Sequence, residues 1–143
     1  MPIWVKMIWT AFVVITVTMA LYIFLWIGAL AGGCENDMLA TIPSPSGGRK
    51  LVIFQRDCGA TTGFSTQASL LPAHDRLRGS GNVFIADADH GKAPSGPGGG
   101  PQLSARWIGE DTLELRYHPQ ARVFRADSVQ QGIFIRYVKQ SSP

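Results

Sequence analysis

Two stretches of the chain gather the side chains that chemistry uses. The first, RDCGATTGFSTQ at residues 56–67, sets Arg56, Asp57, Thr61, Thr62 and Ser65 among two glycines and a cysteine. A loop of this make-up can hold a polar or anionic ligand through backbone N–H groups and the Thr61, Thr62 and Ser65 hydroxyls. The same residues also describe a tight loop, shaped by Gly59 and Gly63 and pinned by Cys58, that needs no ligand. A phosphate loop is excluded, because the Gly-Lys-Ser/Thr ending is missing. The second stretch carries Asp87, Asp89 and His90 ahead of eight residues, 94–101, built only from Pro, Gly and Ser. Two carboxylates beside an imidazole can bind Ca²⁺ through oxygens, or supply a general base that a carboxylate orients. The bidentate Glu and the glycine spacing of a calcium loop are absent, so a turn closed by side-chain to backbone bonds is the competing reading.

Nucleophilic catalysis would need a hydroxyl or thiol beside an oriented base. Ser65 or Thr62 with His90 and Asp87 is the only triple the sequence supplies, and residues 63–67 fail the Gly-x-Ser-x-Gly elbow at its second glycine. His74 and His118 fall in polar turn contexts. Two cysteines and three scattered histidines lack zinc-ligand spacing, so neither a metal nor any other cofactor is expected.

Cys34 and Cys58 form an even pair that reads, in an oxidising compartment, as one disulfide. Closing that loop is worth about 3.5 kcal/mol in the chain-entropy model. Two alternatives stand beside it. Residues 31–34, Ala-Gly-Gly-Cys, resemble the small-residue run before a lipidated cysteine, and lipid on Cys34 would exclude the bond. The pair could also be two unrelated reduced thiols. Against cleavage, the apolar run before Cys34 is far longer than a signal core, and Ala31 stands where such boxes carry Leu.

The elements that must position these groups fall into two parts. Residues 7–31 hold no charge and exceed the roughly 20 apolar residues that span a bilayer core. Trp4 and Trp9 lie near one end and Trp26 near the other, where amphipathic rings prefer the interface. Lys6 precedes the run, and Glu35 and Asp37 follow it, which points the N-terminus to the cytoplasm. The expected organisation is a transmembrane anchor at 1–33, a linker at 34–49 and an extracytoplasmic β domain at 50–143. The chain would thus be a single-pass protein of a bacterial inner membrane with its C-terminal domain in the periplasm.

At this size the second part is one domain, which rules out a two-domain enzyme or a multi-blade propeller. Strand patterns occur at 51–54, 66–71, 83–86, 103–108, 112–117, 122–125 and 133–138, and Gly109, Glu110 and Asp111 read as a hairpin turn. Leu113, Leu115 and Tyr117 share one face against Glu114 and Arg116, and Ile133, Ile135 and Tyr137 share another against Phe134 and Arg136. No later segment keeps a helical period, so the fold class is mainly β: an N-terminal transmembrane helix, then a small antiparallel β-sandwich or rolled sheet. Outside the membrane segment, twelve basic residues face ten acidic ones. Arg122 and Arg125 come nearest to a basic cluster, without the aromatic platform that nucleic-acid binding uses, so no nucleic-acid partner is expected.

The RDCGATTGFSTQ run, with GNVFIAD at 81–87 and APSGP at 93–97, resembles a family of small bacterial envelope proteins with an N-terminal membrane segment or signal. The likeness covers roughly residues 42–138 and implies an envelope setting, with no known activity. It also marks the Cys58 loop and the loop from Asp87 to Pro101 as the places to look. Ser46-Gly47 stands where such a turn would carry Asp-Gly. Rigid strands carrying long polar loops fit recognition, so the leading expectation is a binding module for an envelope protein or peptide. The alternative is a small envelope hydrolase or metal-dependent enzyme using Asp87, Asp89 and His90. A third role is wholly structural, with the helix itself stabilising a membrane complex.

Overall fold

The computed structural model describes residues 1–30, 33–59 and 62–141, and the chain divides into two compact units, 1–33 and 34–143. The first is one helix, α1 (Ile3–Leu30), whose Ile3–Gly28 portion is long and apolar enough to cross a membrane. Its threonine hydroxyls are satisfied within the helix. Thr10 Oγ1 donates to Lys6 O at 3.0 Å, Thr16 to Phe12 O at 2.8 Å and Thr18 to Val14 O at 2.9 Å. Hydrocarbon demands that economy, because it offers no water to pair a stray hydroxyl.

The second unit holds nine strands: β1 (Glu35–Pro43), β2 (Arg49–Asp57), β3 (Ser65–Pro72), β4 (Phe84–Asp87), β5 (Leu103–Trp107), β6 (Thr112–Tyr117), β7 (Arg122–Ala126), β8 (Val129–Gln130) and β9 (Ile133–Lys139). They make a five-stranded sheet of order β1-β2-β3-β4-β7 and a four-stranded sheet of order β5-β6-β9-β8. Leu51, Ile53, Leu70 and Phe84 of the first sheet share a buried cluster with Leu113, Leu115, Ile133 and Ile135 of the second. Inward-facing apolar residues at alternate positions thus join the sheets as a sandwich. Phe84 anchors the seam, with its ring 5.2 Å from Tyr117 and 5.9 Å from Tyr137. The Tyr137 hydroxyl, otherwise stranded among these rings, donates toward Asp127 O at 2.8 Å and Val83 O at 3.1 Å.

Every predicted strand is present, and the 109–111 turn joins β5 to β6 with Ile108 N donating to Thr112 O at 2.9 Å. Three features differ from the sequence reading. The segment expected as a linker is β1, paired with β2 from Glu35↔Asp57 to Pro43↔Lys50. Pro43 is tolerated because it closes an edge strand, where its missing N–H breaks no inner ladder. A register shift between Met38 and Ala40 scrambles the alternation that would have announced the strand. The sheets are also not wholly antiparallel, because β6 and β9 run parallel from Thr112↔Phe134 to Tyr117↔Lys139. That is possible because the intervening chain is long enough to cross over, with β7 lying in the other sheet on the way. Finally, β8 has two residues, too short for any pattern.

Cys34 and Cys58 form a disulfide. They extend the β1–β2 ladder by one step beyond the Glu35↔Asp57 pair and close its open end.

Candidate functional site

Strand register brings several of the singled-out residues into one row. Asn36 lies opposite Arg56, Arg56 opposite Ser65, Ser65 opposite Asp87, and Asp87 opposite Arg122, across all five strands of the first sheet. Directly opposed residues share a face, so the row forms a polar band at the end of the sheet where both loops emerge. Arg56 Nη1 donates to Asn36 Oδ1 at 2.7 Å and to Gly79 O at 2.8 Å, which ties β1, β2 and the 73–82 segment together. At the far side of the band, Arg122 grips Asp87 with two N–H groups: Nε donates to Oδ1 at 3.1 Å, and Nη2 donates to Oδ2.

The two loops converge on β3. Thr66 Oγ1, fully buried, donates to Pro101 O at 2.6 Å, and Gly99 leaves room for the Phe64 ring. Gly100 packs so tightly that a Cβ there would lie 2.8 Å from Thr66 N and 3.0 Å from Ser65 C. The Gly-rich stretch is therefore packing as much as freedom: its bare backbone is what lets it lie against β3. It closes on itself as well, with Gly96 N donating to Gly100 O at 2.7 Å.

The Thr62 and Ser65 hydroxyls of the first loop are spent locally. Thr62 Oγ1 donates to Gly59 O at 3.1 Å and Ser65 Oγ to Arg56 O at 3.3 Å, while Asp57 Oδ1 caps Gly59 N at 2.9 Å. Thr61 lies outside the described residues. Among the described residues, no hydrogen bond joins Ser65 or Thr62 to His90, so the Ser/Thr, His90 and Asp87 triple is not assembled. Asp57 and Gln55 instead line an open depression of about 270 Å³ together with Glu35, Asn36 and Asp37.

The turn after β4 has a strained backbone. Asp89 and His90 adopt φ of 45° and 59°, and Gly91 continues in the same left-handed region. The Asp87 Oδ1 that accepts Asp89 N at 2.9 Å, together with Lys92 Nζ donating to Asp89 Oδ2 at 2.7 Å, holds that shape. Both carboxylates are thereby committed. Burial raises the Asp87 carboxyl, but the Arg122 hydrogen bond, the Asp89 N–H and the Arg122 charge outweigh it and leave it below the ordinary carboxylate range. Asp89 is lowered chiefly by its bond from Lys92. An acid so placed stays ionised and a weak base at neutral pH, which is the reverse of the tuning that general catalysis uses. Among the described residues, no group of three or more His, Cys, Asp or Glu side chains could hold a metal ion.

A second polar centre is one that the sequence did not mark as a site. On the outer face of the four-stranded sheet, Glu114 is only 1% exposed and receives three arginines. Arg106 Nε donates to Oε1 at 2.9 Å, Arg116 Nε to the same atom at 2.8 Å, and Arg136 Nη2 to Oε2. The Arg136 and Arg116 hydrogen bonds overcome the burial penalty and, with Arg106, bring the Glu114 carboxyl down to about 2. The only sequence signal is that Arg106, Arg116 and Arg136 each occupy an outward position of an alternating strand. Beside them lies a small pocket of about 70 Å³, lined by Ser104, Arg116, Tyr117, His118 and Gln140 among others. His118 Nδ1 accepts Gln120 N at 3.2 Å.

Compared with family models, curated proteins and solved structures, the chain matches none of them.

Proposed function

We propose that the chain is a single-pass envelope protein whose disulfide-closed β domain faces the periplasm and binds a protein or peptide partner through its two convergent loops. The observation that carries this reading is the fastening of the second loop, to β3 by the buried Thr66–Pro101 hydrogen bond and to Phe64 beside the first loop by the Phe64–Gly99 contact. A fastened loop loses little conformational entropy on binding, and Phe64, 46% exposed at the junction, is an aromatic anchor of the kind that dominates interfaces. The disulfide supports an oxidising compartment, and its use of Cys34 is incompatible with a lipid on the same sulfur. The likeness of the 56–67 run to small bacterial envelope proteins belongs to the same reading. A hydrolase built on Asp87, Asp89 and His90 is disfavoured by the pairing of both carboxylates with Arg122 and Lys92.

The test is a photo-crosslinking residue at position 64 in native membranes, with position 124 as control. Position 64 should give a discrete adduct that is lost when Gly100→Ala distorts the second loop. Absence of any adduct, together with unchanged growth of a Phe64→Ala strain, would sink the reading.

A further inference from the structure

Cross-strand register lays out the outer face of the four-stranded sheet row by row. At one end Thr112 stands opposite Phe134, and Phe134 opposite Val129, while Ile108 is bonded to Thr112 where β5 ends. Phe134 is 56% exposed, Val129 49% and Ile108 40%, so Phe134 and Val129 meet water as neighbours, with Ile108 beyond Thr112 in the same row. The next row is Arg106, Glu114 and Arg136, with Arg116 in the row after it. Glu114 offsets one of the three guanidinium charges. The Arg106 and Arg136 side chains remain 60% and 59% exposed, and each has N–H donors that Glu114 does not use. Glu110 and Asp111 sit in the turn beyond the apolar row, away from the arginines, so the face grades from an acidic rim through apolar to basic.

Apolar and aromatic side chains bordered by arginines are the make-up of a surface that lies in a bilayer interface, with rings in the headgroup layer and guanidinium groups on phosphate. The chain also supplies a tether, since only three residues separate the apolar helix from Cys34. A helix that spans a bilayer confines the domain to the neighbourhood of its surface, so a weak lipid affinity is enough. We propose that the outer face of β5, β6, β9 and β8 docks on an anionic phospholipid bilayer. Phe134, Val129 and Ile108 enter the headgroup layer, and Arg106, Arg116 and Arg136 contact lipid phosphates. Only the tether in this argument rests on the membrane-anchored reading.

The full chain is placed in nanodiscs of phosphatidylcholine, alone or mixed with phosphatidylglycerol, and arginine modification by phenylglyoxal is read residue by residue by mass spectrometry. Arg106 and Arg136 should react about five-fold more slowly in the anionic discs, the effect of one charge at a lipid surface. Raising salt from about 50 to about 500 mM should restore their rates. Exposed Arg76 and Arg78, outside this face, should react alike in both discs. Phe134→Ser, a surface change that spares the core, should remove most of the protection. Equal rates in the two discs would overturn the proposal. Protection seen only in native membranes would overturn it as well, and would assign the face to an acidic protein. Insertion of the chain into the discs is scored separately, which distinguishes failure of the anchor from failure of the face.

Discussion

Glu114 shows how much one side chain can depend on partners far away in sequence. Alternation with Leu113 and Leu115 correctly turns it away from the core, yet it is buried, because Arg106 and Arg136 stand on either side of it in the ladder. That register cannot be read from any local window. Its carboxyl is lowered from 4.5 to about 2 on folding, so its contribution to stability is complete above pH 4.5 and is lost as pH falls toward 2. Urea midpoints of the full chain in detergent, followed by Trp107 fluorescence, should fall through that window. Glu114→Gln should start lower at about pH 7 and show a flatter acid limb, since it has no proton to take up. His90 makes the converse point: the sequence marks it as a catalytic candidate, whereas its φ of 59° marks a backbone constraint. His90→Gly should raise stability by up to about 1 kcal/mol and His90→Val should lower it by about 1–2 kcal/mol, by the same urea assay.

At the level of elements, seven strands were legible because buried alternation and turn residues agree over short windows. What the sequence hid was the company each strand keeps. β1 is an exposed edge with a bulge, and β8 is two residues held by its partner, so neither carries a pattern of its own. The convergence of the two loops was equally hidden, since it depends on Ser65 standing opposite Asp87 and on glycines that let Pro101 reach Thr66. The fastening is testable. Thr66→Val leaves Pro101 O without its buried donor and should cost about 1–3 kcal/mol. Gly100→Ala forces a Cβ against β3 backbone and should cost about 1–3 kcal/mol. Because the two changes break one contact, the double variant should lose clearly less than their sum, as a double-mutant cycle by urea unfolding would show.

For the whole molecule, the long apolar helix and the sandwich class were legible from composition and period, while the parallel β6–β9 pair was not. The disulfide closes a loop with a sequence separation of 24, and its reduction should cost the domain about 3.5 kcal/mol in the chain-entropy model, read as a lower Tm with reductant present. Intact mass of the protein from native membranes checks the chemistry behind that number: a full-length chain taking up two alkyl groups only after reduction is expected, whereas loss of residues 1–33 with added acyl chains would sever Cys34 from Cys58. The strand order has its own consequence for when the domain can fold. β9 is the last of the nine strands to be made, yet it lies inside its sheet between β6 and β8. Until β9 arrives, β6 has one neighbour and β8 none, so a growing chain has no finished second sheet to close over Leu51, Leu70 and Phe84. Completion of the core is thus timed by the topology: the sandwich cannot close before β9 is in place.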